Sequence, residues 1–223
     1  MFVVGVLLFS SCKKEAKLID SSPQDLKVGL VDSILPADCI PKNFTTPMGT
    51  RVSYTKVGDA VKLSWGDNTY SRSHDSLFVC RLDEHGLWDY IPHYVSETEN
   101  NLVFTNVIST SSGANPAPID FSAMISPKKI SDSIYEKYYF LDKHNDYIIY
   151  LPSARADSIE ILNIETKKSQ MCMLNPRPVP FLKSPTFIIT KTKVFNKKLE
   201  IEYIGLDKND NEVTRKNTFK LKV

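Results

Sequence analysis

The segment Val61-Lys62-Leu63-Ser64-Trp65, followed by Gly66-Asp67-Asn68, carries a two-residue period and then a turn signal. Successive side chains of an extended chain point to opposite sides, so Val61, Leu63 and Trp65 share one face and Lys62 and Ser64 the other. Phe78, Cys80 and Leu82 repeat the pattern, and Leu102 with Phe104 repeats it again. Turn signals separate these runs at Gly58-Asp59, Glu84-His85-Gly86 and Asn100-Asn101. Strands of this length and spacing predict an all-β fold of one or two β-sandwich domains.

The second half continues in the same way, with strands expected over 135–141, 147–151, 159–164, 171–174, 186–195, 199–206 and 213–223. Leu199, Ile201 and Tyr203 alternate with Glu200 and Glu202, while Phe219, Leu221 and Val223 alternate with Lys220 and Lys222. Proline-rich 175–185 interrupts the series and is excluded from a central strand, because proline cannot donate to the ladder. The one low-complexity loop, Ser-Thr-Ser-Ser-Gly-Ala-Asn-Pro-Ala-Pro at 109–118, is followed soon after by Pro127-Lys128-Lys129, and a domain boundary is expected in this region. The expected organisation is a sandwich over 44–127 and a second β-rich domain over 128–223, or the remainder of a single sandwich.

Upstream, 12–43 reads as a polar tether leading into a short element. Ser22-Pro23-Gln24-Asp25 has the form of a helix start, with Leu26, Leu30 and Ile34 at four-residue spacing and Pro36 as a stop. A short strand through 28–35 is the alternative.

The 223 residues are 42% hydrophobic and 24% charged, the composition of a globular chain. A net charge of +2 without long basic runs argues against a nucleic-acid partner. Only 8 glycines are present, which argues against nucleotide folds that bring glycine backbone to phosphate.

The order Val-Lys-Leu-Ser-Trp, Leu-Phe-Val-Cys-Arg-Leu, Gly-Leu-Trp and Leu-Val-Phe resembles a fibronectin type III module over 47–126. The module's later tyrosine-bearing strand has no clear counterpart, 120–125 standing in its place. At the start of the chain, Phe2-Val3-Val4-Gly5-Val6-Leu7-Leu8-Phe9 is apolar and far short of the ~20 residues of a membrane-spanning helix. It has the length of a signal-peptide apolar region, although no Lys or Arg precedes it. Ser10-Ser11-Cys12 follows, and the chain then turns charged at Lys13-Lys14-Glu15. This run resembles the lipobox of bacterial lipoproteins, and Leu-Phe-Ser-Ser-Cys-Lys-Lys resembles in particular the form found in the Bacteroidetes group.

The resemblance implies removal of residues 1–11 as a signal peptide and lipidation of Cys12. The body would then lie outside the cytoplasm, anchored in the outer membrane and facing the periplasm or the surface. Two or more acyl chains give stable anchoring where one gives only marginal binding. Four triplets, Asp32-Ser33-Ile34, Asp75-Ser76-Leu77, Asp132-Ser133-Ile134 and Asp157-Ser158-Ile159, read Asp-Ser-aliphatic. They resemble the acceptor of the protein O-glycosylation system of the same group, which implies modification at Ser33, Ser76, Ser133 and Ser158. The ordinary reading of Asp-Ser is a turn or cap entering an apolar strand.

Trp88 and Tyr90, beside Gly86, form the expected aromatic platform for a polysaccharide ligand, whereas Trp65 belongs to the core by alternation. His74, Cys80, His85 and His93 lie close in sequence, with no pair at zinc-ligand spacing, so no metal site is expected. Asp207, Asn209 and Asn211 open like a calcium loop, but Glu212 and Thr218 stand where Gly and Glu are required. A hairpin turn is the expectation there. Glu97 and Glu99 could share a sheet face without catalytic meaning. No catalytic residue and no cofactor are expected, and enzyme motifs built on Gly-rich loops or H-E-x-x-H are missing from the sequence.

With Cys12 lipidated, Cys39, Cys80 and Cys172 allow at most one disulfide, and the spacing assigns none. The expected function is a lipid-anchored cell-envelope protein with a binding or structural role, not an enzyme. The alternatives are a glycan-capture lipoprotein, and a subunit of a fimbrial or envelope assembly using 213–223 as an edge strand.

Overall fold

The two-residue period at 61–65 is realised as the third strand of a meander. Among the residues described by the computed structural model (39–83, 86–110, 119–152, 157–175, 178 and 188–223), seventeen strands form and every pairing is antiparallel. The segment 1–11 expected to be a signal peptide, Cys12, the element expected at 22–36 and Ser33 lie outside the described residues.

The first sheet contains β1 (Phe44–Thr45), β2 (Arg51–Val57), β3 (Ala60–Gly66) and β4 (Ser71–Ser73). A hairpin of β5 (Cys80–Asp83) and β6 (Gly86–Asp89) follows. The second sheet contains β7 (His93–Glu97), β8 (Asn101–Thr110), β9 (Ile119–Pro127) and β10 (Tyr135–Lys137). β11 (Phe140–His144), β12 (Tyr147–Tyr150), β13 (Ser158–Asn163) and β14 (Ser169–Met173) make the third. The fourth contains β15 (Ile189–Phe195), β16 (Lys198–Leu206) and β17 (Glu212–Lys220). Within each sheet the strands neighbour one another in chain order.

Three cores stack these sheets. Val52, Tyr54, Val61, Leu63 and Trp65 of the first sheet meet Leu102, Phe104 and Met124 of the second. Val103, Ala123 and Ile125 point from the other face of the second sheet onto Ile148, Tyr150, Leu162 and Ile164. Ile149, Leu151, Ile159 and Ile161 leave the opposite face of the third sheet and pack on Leu199, Ile201 and Tyr203 of the fourth. The result is two β-sandwiches joined through a shared apolar interface. Sheets buried on both faces need apolar residues at every position rather than at every second one. Leu102-Val103-Phe104 and Ile148-Ile149-Tyr150-Leu151 satisfy that requirement. All of the described residues belong to one compact unit.

The strand expected over 135–141 is two strands. Tyr139 adopts a φ of 53°, which an extended chain cannot carry, and the break falls between β10 and β11. The chain crosses at this point from the second sheet to the third, so β10 completes the first sandwich. Polar contacts fasten the two sandwiches beside the shared core. Glu165 accepts from Asn100 Nδ2 at 2.7 Å and Asn101 Nδ2 at 3.2 Å, and Lys167 Nζ donates to Asn101 Oδ1 at 2.7 Å.

Cys39 and Cys80 are joined in a disulfide, with Cα atoms 6.2 Å apart, where the sequence alone assigned no pair. Their separation of 41 residues hides the pairing from local spacing. Both half-cystines lie in the first core, while Cys172 is a buried free thiol in the third.

Candidate binding surface

Because the inner sheets are covered on both sides, the broad open faces belong to the first and fourth sheets. On the first sheet, alternation turns Arg51, Ser53 and Thr55 of β2 outward, opposite Gly66, Ser64 and Lys62 of β3. A cleft of about 260 Å³ opens here, lined by Arg51, Ser53, Ser64, Asp67, Tyr70 and Ser71. Its rim is built by the β3–β4 turn, where Asp67 Oδ1 accepts from the Thr69 N–H and Thr69 Oγ1, both at 2.6 Å. These bonds hold the Asp67 carboxyl below its ordinary range. Gly66 is required: a Cβ there would stand 2.3 Å from the Tyr70 carbonyl oxygen. The cleft offers hydroxyls and a guanidinium, the chemistry of a hydrogen-bonding site.

The fourth sheet presents charge in rows across its strands. Lys191, Glu202 and Lys216 are cross-strand neighbours, as are Lys193, Glu200 and Thr218. Lys216 Nζ lies 3.2 Å from Glu200 and 4.0 Å from Glu202. β17 is the edge strand of this sheet and pairs with β16 along all nine residues without a register shift. Its even-numbered residues turn their backbone groups away from β16. The Leu221 N–H bonds inward to Lys197, whereas Gln170 holds the Lys220 carbonyl at 3.0 Å and the Lys222 N–H at 2.8 Å.

Buried polar clusters brace these surfaces. The Glu97 side chain is 2% exposed, meets Lys128 Nζ at 2.7 Å and accepts from Thr50 Oγ1 at 2.5 Å. Burial pushes its carboxyl up, but the donors Lys128, Thr46 and Thr50 outweigh burial and hold it below its ordinary range. Glu99 is exposed and takes no part in this cluster. At the edge where β11 meets β15, His144 Nε2 lies 3.0 Å from Asp142 and 2.9 Å from Thr192 Oγ1, which also donates to Asp142. Thr50 lies 47 residues from Glu97 and Thr192 lies 50 from Asp142, so no local spacing announces these contacts.

The residues singled out from sequence are dispersed. Ser76 and Ser133 are exposed, with the Ser76 N–H donating to His74 Nδ1 at 3.0 Å. Ser158 begins β13 and is 5% exposed, so a glycan on its hydroxyl would require that strand to open. Trp88 lies in β6 opposite Arg81, its side chain outside the described residues. Tyr90 is half-buried, and its N–H donates to the Val79 carbonyl at 3.1 Å. Cys80, weighed as a metal ligand, is spent in the disulfide. Asp207, Asn209 and Asn211 form the β16–β17 turn, Asp207 Oδ1 accepting from the N–H of Asn209 at 2.8 Å and of Asn211 at 2.9 Å. These bonds hold the Asp207 carboxyl low. Comparison with protein-family models, curated proteins and solved structures returns no match.

Proposed function

We propose that this chain is an exported lipoprotein of the outer membrane, held through lipid on Cys12, whose β-sandwich body has a binding or structural role. The observation that supports this reading most is the Cys39–Cys80 disulfide. Disulfides form and persist in oxidising compartments and are rare in a reducing cytosol. A structural disulfide in the body and a lipobox-like start therefore point to the same side of the inner membrane by independent chemistry. Ser76 and Ser133 are the exposed candidates for O-glycosylation in this setting. The test is fractionation of cells expressing the full chain and its Cys12→Ala variant. The native chain should sediment with membranes and resist salt extraction, and Cys12→Ala should be soluble. Equal partitioning of the two would contradict the anchor.

A second reading, a subunit of an envelope assembly, is favoured by β17, which has no further strand on its outer side among the described residues, because a strand edge is a template for a further strand. The glycan-capture alternative rests on Tyr90 and Trp88 and is tested by polysaccharide retention of the double alanine variant.

A further inference from the structure

We infer that the chain self-associates through the edge of β17, a second copy pairing antiparallel to it so that the fourth sheet runs on across both copies. The inference deepens the assembly reading above, on which its biological setting rests, by naming the partner.

Edge strands are usually blunted by brevity, proline, a bulge or charged side chains, and β17 carries the last of these as charges of both signs, at Glu212, Arg215, Lys216 and Lys220. β17 has nine residues, Glu-Val-Thr-Arg-Lys-Asn-Thr-Phe-Lys, with neither a proline nor a register shift against β16. Its outward backbone groups belong to Glu212, Thr214, Lys216, Thr218 and Lys220, because the odd-numbered neighbour Leu221 bonds inward and Lys220 and Lys222 face Gln170. Hydrogen-bonded pairs of an antiparallel ladder must join outward residues of both strands.

Centred on Lys216, such a ladder is its own complement. Glu212 falls opposite Lys220 of the second copy, and Thr214 opposite Thr218 of the second copy, each twice by symmetry. On the other face Val213 meets Phe219 of the second copy, and Arg215 meets Asn217 of the second copy. Opposite charges, Thr–Thr pairs and aromatic–β-branched pairs are the favourable cross-strand combinations. The two Lys216 ammonium groups meet at the axis, and each is already drawn toward Glu200 and Glu202 of its own sheet. A slip of two residues in either direction removes the Glu–Lys pairs within the strand. At the ladder's ends Gln170 competes for the Lys220 carbonyl, so the bonds at Thr214, Lys216 and Thr218 are the ones that hold. Isologous pairing of this kind closes at two copies.

The test uses the purified full chain. Lys216→Cys should give a covalent dimer with a short thiol-to-thiol cross-linker. Thr214→Cys and Thr218→Cys should each give little dimer alone and recover it when combined in one chain. In sedimentation equilibrium, Glu212→Lys or Lys220→Glu should raise the dimer dissociation constant about ten-fold, and the double swap should restore it. Thr218→Pro removes an outward N–H while leaving the bonds to β16, and should give a single copy of unchanged melting temperature. Lys216→Cys that stays uncross-linked, or a charge swap that does not restore association, would overturn the inference. Loss of the Cys12 anchor is read separately by fractionation and leaves these outcomes unaffected.

Discussion

Reduction of the Cys39–Cys80 disulfide should lower the stability of the body by an amount that its loop length sets. The bond closes a loop of 41 residues. On the chain-entropy account, opening such a loop adds about 13 cal/mol/K to the unfolded state, or about 4 kcal/mol at 25 °C. The reduced sulfurs would stay where they are, since Cys39 and Cys80 are buried at 6% and 3% exposure and a thiol packs as a small hydrophobe. The loss is therefore that of the cross-link, with little added cavity. For a body of this size it corresponds to a fall in Tm of roughly 8–16 °C. Thermal unfolding followed by circular dichroism, with and without reductant, measures it directly. A Cys39→Ala/Cys80→Ala variant should melt low in both buffers, which separates the disulfide from other effects of the reductant. A fall of less than about 2 °C on complete reduction would refute the reasoning, because it would mean that the cross-link does not restrict the unfolded chain.

Ile148 is 0% exposed in the core shared by the two sandwiches, so Ile148→Ala should cost about 2–5 kcal/mol in urea unfolding. Exposed Lys62→Ala should stay within about 0.5 kcal/mol, and equal effects would contradict the three-core arrangement. Gly66→Ala forces a Cβ to 2.3 Å from the Tyr70 carbonyl, and a loss of about 1–3 kcal/mol is expected; a neutral substitution would show that the β3–β4 turn is looser than described. Glu97 ionises more readily in the folded chain than its ordinary value of 4.5, through its donors Lys128, Thr46 and Thr50 working against burial. Its contribution is complete above about pH 4.5 and is lost as pH falls through the lower folded value, so Glu97→Gln should flatten the acid limb of a stability profile. An unchanged slope below that pH would exclude this role.

The strands whose faces differ were the readable ones. Val61, Leu63 and Trp65 against Lys62 and Ser64 reveal a face because the first sheet has water on one side. The Asp207 turn was readable too, since its hydrogen bonds are made within four residues. Ile148-Ile149-Tyr150-Leu151 has no polar side, and its alternate residues enter two different cores, so periodicity could not tell which sheets it would join. The break at Tyr139 lacks the glycine that usually marks a positive φ. Glu97, Thr50 and Lys128 come together only through the fold, as do Cys39 and Cys80, and no spacing rule reaches across such separations.

The most direct test of the account is the intact mass of the protein taken from the membrane fraction of cells expressing the full chain. The predicted result is loss of residues 1–11, added acyl chains on Cys12, and a Cys39–Cys80 pair that resists alkylation until reduced. An unprocessed chain in the soluble fraction, with all 4 cysteines free to alkylate after unfolding, would contradict it.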